Sequence, residues 1–438
     1  MSAAFVPGAS RWERWGRAVR RIARKRMIVA LLMGFSSGLP LLLTSTLLQA
    51  WLTRRGYSLG LIGLVALVGL PYSFKFLWAP FLDRYQIGPL GRRRGWLLVT
   101  QLLLVAGIAA VGLVGPRYGF VPIVAAGFAV CFFSASQDTV IDAYRRESLA
   151  EDEQAFGASL YVNGYRVAML VASGGGLILS HFVGFRTTYL VMAAGMGAGI
   201  LTTLWADEPP ARDPGRGWRA LVLEPLRSYF AQEDALLVLL FVVIYKVGDL
   251  TASNMTIPFY LRLGYSRETI GMVVKLFGYW AIVAGGVFGG LASLRLGLYR
   301  ALFWFGLLQA CATASYAWLT VTGPSVGWLA AVISLENLSL GMSTAAFVGF
   351  LAVMTDRRFT ATQFALLTSL MAVPRVLLSS PAGYLAGAVG WAPFFLICGA
   401  LAVPGLVLLR RFRTWLERRG SGSGTGAIEA AATAEGGS

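Results

Sequence analysis

The sequence predicts an all-α polytopic membrane protein of twelve transmembrane helices in two six-helix bundles. Three observations carry that reading. Of 438 residues, 56 % are hydrophobic and only 13 % charged, about half the charge of an ordinary soluble domain. Apolar runs recur along the whole chain, most of them near the ~20 residues needed to cross a hydrocarbon core. An octapeptide also recurs at equivalent places in the two halves. Gly56-Tyr-Ser-Leu-Gly-Leu-Ile-Gly63 opens the second span and Gly264-Tyr-Ser-Arg-Glu-Thr-Ile-Gly271 opens the eighth, with five of eight positions identical. A single match of that length arises by chance, but its placement favours a parallel duplication of a six-helix unit.

In chain order, a basic segment (1–26) precedes an N-terminal bundle (27–206) with spans at 27–51, 58–80, 96–114, 120–141, 156–179 and 187–206. A loop rich in proline, glycine and charge (207–234) reads as the linker. The C-terminal bundle (235–409) has spans at 235–261, 269–294, 301–320, 326–354, 364–383 and 391–409. The tail (410–438) is largely Gly/Ser/Ala after residue 420 and reads as disordered. The run after Arg11–Arg26 is too long for a signal-peptide core and has no cleavage site.

The net charge is +17. The basic residues lie in short loops between apolar runs, so the charge reports topology and not nucleic-acid binding. With the N-terminus cytoplasmic, the cytoplasmic segments hold 27 Lys and Arg and the periplasmic loops hold 6. This bias puts both termini in the cytoplasm of an inner-membrane protein. Cys131, Cys311 and Cys398 lie far apart in apolar runs and read as buried free thiols. His181 is the single histidine, which excludes a multi-histidine metal site.

Nine ionisable residues fall in or beside spans: Lys75, Asp138, Asp142, Arg166, Lys246, Asp249, Lys275, Glu336 and Arg375. A charge at the bilayer centre costs at least about 2.5–3.5 kcal/mol, so such residues pair or face water. They avoid the third, sixth, ninth and twelfth spans, which in a two-bundle arrangement are the outer supports. The pattern repeats between halves: an acid on the fourth span (Asp138) and the tenth (Glu336), an arginine on the fifth (Arg166) and the eleventh (Arg375). Lys246 and Asp249 share a face at a separation of three; Asp138 and Asp142 share one with Ser134. An Asp138–Arg166 pair follows as an expectation. Lys75 is near a helix end, where snorkelling explains it as well as function does.

After the second span comes Asp83-Arg84-Tyr85, then Gly91-Arg92-Arg93-Arg94. An acid followed by clustered arginines at a helix end can latch a neighbouring helix terminus, so Asp83, Arg84, Arg92 and Arg93 are gating candidates beside plain positive-inside anchoring. The first span carries Gly34 and Gly38, suited to close helix approach, and Pro40, suited to a kink.

The loop from Asp83 to Arg94 resembles the corresponding motif of the major facilitator superfamily in a divergent form. The stretches Gly34-Phe-Ser-Ser-Gly-Leu-Pro40, Gly69-Leu-Pro-Tyr-Ser-Phe-Lys-Phe-Leu-Trp-Ala-Pro80, Ser134-Ala-Ser-Gln-Asp-Thr-Val-Ile-Asp-Ala-Tyr-Arg145 and Tyr161-Val-Asn-Gly-Tyr-Arg166 resemble the AmpG-type muropeptide permeases within it. The likeness is strongest from Met27 to Pro209 and collinear afterwards. It departs in two respects: some members carry two further C-terminal spans, and the second half keeps only Ser293-Leu-Arg295 where the first has its acidic loop.

The resemblance implies import of anhydromuropeptides (N-acetylglucosaminyl-1,6-anhydro-N-acetylmuramyl peptides) driven by the proton gradient, with roles in peptidoglycan recycling and β-lactamase induction. Such a substrate offers sugar faces, acetamido groups and carboxylates. Tyr72, Tyr161, Tyr165, Tyr245, Tyr279 and Trp280 are candidates for stacking, Gln49, Gln137, Asn163 and Asn337 for hydroxyl and amide groups, and Arg166, Lys246 and Arg375 for carboxylates. Any one of these aromatics serves packing or the interfacial belt equally well. Asp138, Asp142, Asp249 and Glu336 are the proton-coupling candidates. The expected partners are the muropeptide, protons and the lipid bilayer, with no nucleic acid, no cofactor beyond the proton gradient, and a monomeric state. Two alternatives remain: a transporter of another organic anion, acyl-CoA-like or sugar-linked, and a membrane-embedded transferase, for which a lone histidine and short loops offer little acid–base chemistry.

Overall fold

A segment alone in lipid must close its backbone hydrogen bonds internally, so each long apolar run becomes a helix. The computed structural model describes residues 25–149, 153–210, 235–354, 376–377 and 379–413, and every regular element among them is helical. In order, α1 is Lys25–Arg54. The α2 span opens as Leu59–Phe74 and ends as Ala79–Arg84. Next come α3 (Arg92–Val114) and α4 (Phe120–Ser148). Gly157–Trp205 is one run that Gly184 divides into α5 and α6. The second half holds α7 (Ala235–Arg262), α8 (Arg267–Ser293), α9 (Leu298–Thr322), α10 (Val326–Met354), the described part of α11 (Ala382–Val389) and α12 (Trp391–Phe412). Each of the twelve expected spans thus has helical residues in the structure. Of the most apolar stretch of α8, 22 % is buried within the protein.

The octapeptide repeat builds the same turn twice. Gly56 and Gly264 adopt φ of 79° and 97°, a left-handed conformation that glycine alone takes without strain. Two residues later Ser58 and Ser266 cap the following helices, accepting from the N–H groups of Leu61 (3.4 Å) and Thr269 (3.0 Å).

Three elements differ from the sequence-based expectation. The second span is not one regular helix: it tightens to 3₁₀ geometry over Val65–Gly69 and Lys75–Leu77, where Gly69, Pro71 and Pro80 weaken or delete backbone hydrogen bonds. The fourth span runs about two turns past 141, carrying Tyr144 and Glu147. The fifth and sixth spans meet directly at Gly184 (φ 78°). Pro40 is accommodated inside α1, with a wider π turn at Leu43–Leu47 just beyond it. Cys131 and Cys398 are buried as expected, but Cys311 is exposed on α9.

The chain divides into two compact units: Met1–Leu47 with Phe74–Asp213, and Leu48–Ser73 with Pro214–Ser438. The second unit therefore includes the end of α1 and the start of α2. The cause is a set of contacts that holds those segments to α7 and α11, described below. In the first unit Val29, Met33, Leu82, Leu97, Val140, Ile141, Tyr144 and Ala206 form a core at the arginine-rich end. In the second, Phe241, Tyr245, Phe347, Phe350, Leu406 and Phe412 anchor a larger one.

Candidate functional site

In the first unit, α1 and α5 pack with almost no space between backbones. A Cβ at Gly34 would overlap the Tyr161 carbonyl, one at Gly38 the Tyr165 carbonyl, and one at Gly164 the Leu31 carbonyl. This approach brings Tyr161 to Ser37, and α4 supplies the acid. Ser37 Oγ donates to Asp138 Oδ1 at 2.5 Å and lies 2.9 Å from Tyr161 Oη. A serine hydroxyl has one proton, so while it donates to the carboxylate it must accept from Tyr161. The result is a three-membered chain, Tyr161 to Ser37 to Asp138, and Asp138 is buried.

The expected Asp138–Arg166 pair does not form. Asp138 is held by a hydroxyl, Lys75 is the cation that acts on it electrostatically, and Arg166 lies on an exposed face of α5 with Asn163. The reason is rotational: position 166 is one turn on from 162–163, on the face turned away from α1. Tyr165 is half-buried, its ring 6.3 Å from that of Tyr161. Asp142 is ion-paired with Arg145 at 3.6 Å, and Arg145 in turn stands 5.5 Å from the Tyr161 ring. Gln137 is fully buried and bonds both ways to Ser36, accepting from its hydroxyl (3.3 Å) and donating to its carbonyl (3.1 Å). It ties α4 to α1.

The arginine-rich end of this unit holds a second network. Arg93 is buried and reaches both Asp83 Oδ1 (2.6 Å) and Glu147, donating through Nε (3.0 Å) and Nη2 (2.6 Å). Arg92 donates to the same Glu147 (3.1 Å) and to the Asp83 carbonyl (3.3 Å). Arg94 donates to the last carbonyls of α6, those of Thr203 (2.9 Å) and Leu204 (2.8 Å), which is the helix-terminus latch the motif suggested. Glu208 accepts from the N–H groups of Arg93 and Arg94 (2.7 and 2.9 Å), capping α3. Asp207 pairs with Lys25 at 2.6 Å, and that hydrogen bond holds its carboxyl below the ordinary carboxylate range. Of the four gating candidates Asp83, Arg92 and Arg93 converge. Arg84 is exposed and lies against its neighbour Tyr85. Arg94 belongs to the arginine cluster of the motif but is not among the four gating candidates; Glu147 and Glu208 are absent from the sequence reading, although two acids at the ends of spans four and six, level with three arginines, are the available signal.

In the second unit the charges turn inward. Lys246 Nζ lies 3.2 Å from Asp249 Oδ2 and 3.3 Å from Ser343 Oγ of α10. Tyr245 donates to the Leu302 carbonyl (2.9 Å) and stacks on Phe347 at 5.2 Å. Glu336 accepts from Gln309 (2.9 Å) and Thr313 (3.4 Å) of α9, and Ser339 donates to Gln309 (2.9 Å). Tyr245, Lys246, Asp249, Gln309 and Thr313 help line a cavity of about 10 Å³, room for one water at most. This corrects the sequence reading in one respect. The tenth span turns Glu336 toward the ninth, a supposed outer support, and Tyr245 and Lys246 are committed to the interior of their own unit.

The remaining candidates separate by exposure. Trp280 is exposed and Tyr279 half-buried on α8, their rings 5.6 Å apart; Lys275 and Tyr72 are half-buried. Asn337 donates to the carbonyl one turn back on α10 (3.0 Å) and faces Gly278 of α8. Arg375 lies outside the described residues. Gln49 is not a lone amide: its Nε2 donates to Asn254 Oδ1 of α7 at 2.8 Å. Asn254 Nδ2 donates in turn to the carbonyls of Gly63 (3.3 Å) and Ser379 (2.8 Å). Beside it, a Cβ at Gly383 would overlap the Leu59 carbonyl, and one at Gly63 would crowd the Ser380 carbonyl. Asn254, absent from the sequence-based candidates, thus clasps α1, α2 and the α11 region to α7.

The sequence profile described as Major Facilitator Superfamily matches residues 31–379. The chain belongs to the Major Facilitator Superfamily. It is 42 % identical over 402 residues to the anhydromuropeptide permease of Escherichia coli K12, covering 91 % of this chain and 82 % of that protein. It is 38 % identical to an uncharacterized protein of Haemophilus influenzae, covering 89 % and 95 %. The structure also resembles that of a bacterial homologue of the human lysosomal transporter Spinster, with a TM-score of 0.67 over 88 % of this chain and 95 % of that one, at 14 % identity. The match to the E. coli permease bears out the resemblance to AmpG-type permeases; the likeness to the Spinster homologue supports the fold alone. A polytopic transporter embedded in the membrane, and not an enzyme, is what these matches and the apolar helices describe.

Proposed function

We propose that this chain imports anhydromuropeptides from periplasm to cytoplasm for peptidoglycan recycling, by alternating access coupled to proton entry. The supporting observation is the 42 % identity with the E. coli anhydromuropeptide permease across nine-tenths of the chain; likeness of fold alone would leave the substrate open. Asp138, buried and held by neutral hydroxyls, is the proposed proton carrier. Arg166 and Asn163, exposed on α5, are the proposed contacts for the substrate's carboxylate and acetamido groups. The transporter acts as a monomer in the inner membrane with both termini cytoplasmic, as the 27-to-6 bias of basic residues favours. The proton gradient is its only co-reactant.

Binding tests the substrate assignment before transport is measured. N-acetylglucosaminyl-1,6-anhydro-N-acetylmuramyl tripeptide at a hundred times its Kd should stabilise the purified protein by about 2.7 kcal/mol, the linkage value for a ligand that binds only the folded state. An acyl-CoA should give no shift. Stabilisation by the acyl-CoA and none by the muropeptide would favour the other organic-anion reading.

A further inference from the structure

Where α9 begins and α12 ends, a groove of about 620 Å³ is lined by Tyr299, Arg300, Phe303, Trp304, Arg410 and Arg413. Among the described residues its lining holds three arginines and three aromatic residues. All three arginines are exposed, and the Arg413 guanidinium stands 5.8 Å from the Tyr299 ring. The register of α9 sorts the lining by depth. Tyr299 and Phe303 share one face at a spacing of four, and Arg300 and Trp304 share the next. Four residues of helix rise about 6 Å. Tyr299 and Arg300 therefore sit nearest the helix end, and Phe303 and Trp304 sit about one turn deeper. Trp304 is 56 % exposed. Cations at the helix end, with the exposed Trp304 and the half-buried Phe303 below, match the boundary between lipid headgroups and acyl chains.

We propose that this groove is a binding site for an anionic phospholipid, its phosphate held by Arg300, Arg410 and Arg413 and its upper acyl chain lying on Phe303 and Trp304. Guanidinium groups bind phosphate oxygens in bidentate pairs, and basic pockets between transmembrane helices suit anionic headgroups. A free phosphate ion would fill little of the groove and leave the exposed side of the Trp304 ring uncovered, Phe303 being half-buried and already 5.4 Å from it.

Native mass spectrometry of the full chain in detergent tests this, with phosphatidylglycerol as the probe and phosphatidylcholine of the same acyl chains as reference. Phosphatidylglycerol should be retained and phosphatidylcholine lost. The combined Arg300→Gln, Arg410→Gln, Arg413→Gln variant should weaken retention roughly a hundredfold, at about fivefold per arginine near a charged surface. If that variant does not fold, Arg300→Gln and Arg413→Gln singly should each show the fivefold loss, and Trp304→Ala a further weakening. Arg54→Gln with Arg55→Gln and Arg117→Gln, at the opposite end of the helices, should change nothing. Equal retention in wild type and the groove variants, equal loss in the opposite-end variant, or full displacement by inorganic phosphate would each overturn the proposal.

Discussion

Asp138→Asn is expected to abolish pH-driven accumulation of substrate while leaving exchange of labelled for unlabelled substrate intact. The four acids proposed from the sequence separate by partner. Asp142 and Asp249 are ion-paired to Arg145 and Lys246. Glu336 is held by neutral donors but faces α9 inside its own unit. Asp138 is buried, bonded to Ser37 and one hydroxyl away from Tyr161. The chain can reverse its direction with the proton. The carboxylate accepts from Ser37, which accepts from Tyr161; the protonated acid donates to Ser37, which can then donate to Tyr161, leaving the Tyr161 hydroxyl proton to be accepted elsewhere. A buried acid held by hydroxyls, with no cation bonded to it among the described residues, is suited to cyclic protonation. Asparagine keeps the acceptor oxygen for Ser37, so the fold should survive, but it carries no titratable proton. One proton per substrate supports about tenfold accumulation per unit of pH difference, and the variant should stay at unity. Asp142→Asn, at a half-exposed acid beside Arg145, should keep its accumulation. Normal accumulation by Asp138→Asn would remove that residue from the coupling step.

Gly383→Val should eliminate net transport, whereas Gly387→Val on the same helix should be close to wild type. A side chain at 383 would occupy the position of the Leu59 carbonyl oxygen, and the neighbouring atoms are backbone that cannot swing aside. At 387 nothing lies within 4 Å. The Gly383 contact belongs to the clasp in which Asn254 joins Gln49, Gly63 and Ser379. A wedge there should hold that end open and cost roughly 1–3 kcal/mol of stability, as overpacking does elsewhere. Transport by purified protein of normal size-exclusion profile separates the two variants. Equal activity in both would mean that the clasp need not close during the cycle.

The sequence disclosed the helices because spans are written in their apolar length, and disclosed the duplication because two glycines with positive φ and two serine caps had to be kept at equivalent turns. It also marked Gly34 and Gly38 for close approach, and the α1–α5 contact uses both. Which neighbour a polar residue meets was not legible. Helical spacing assigns a face but not the helix opposite, so Asp138 was given Arg166 where the structure gives it Ser37, and Glu336 was aimed at a cavity where it meets Gln309. Asn254 was overlooked because an uncharged amide stands out less than a charge in an apolar span, although its three hydrogen bonds hold more elements together than any single ion pair in its unit. The broken course of α2 was written in Gly69, Pro71 and Pro80, and counting apolar residues passes over such breaks.

The most direct test of the account is uptake of labelled N-acetylglucosaminyl-1,6-anhydro-N-acetylmuramyl tripeptide into proteoliposomes containing the purified protein. Under an inward proton gradient the account predicts saturable accumulation above equilibrium, collapsed by a protonophore and absent from protein-free vesicles. Uptake no faster than in protein-free vesicles, with the protein shown to be folded and inserted, would contradict it.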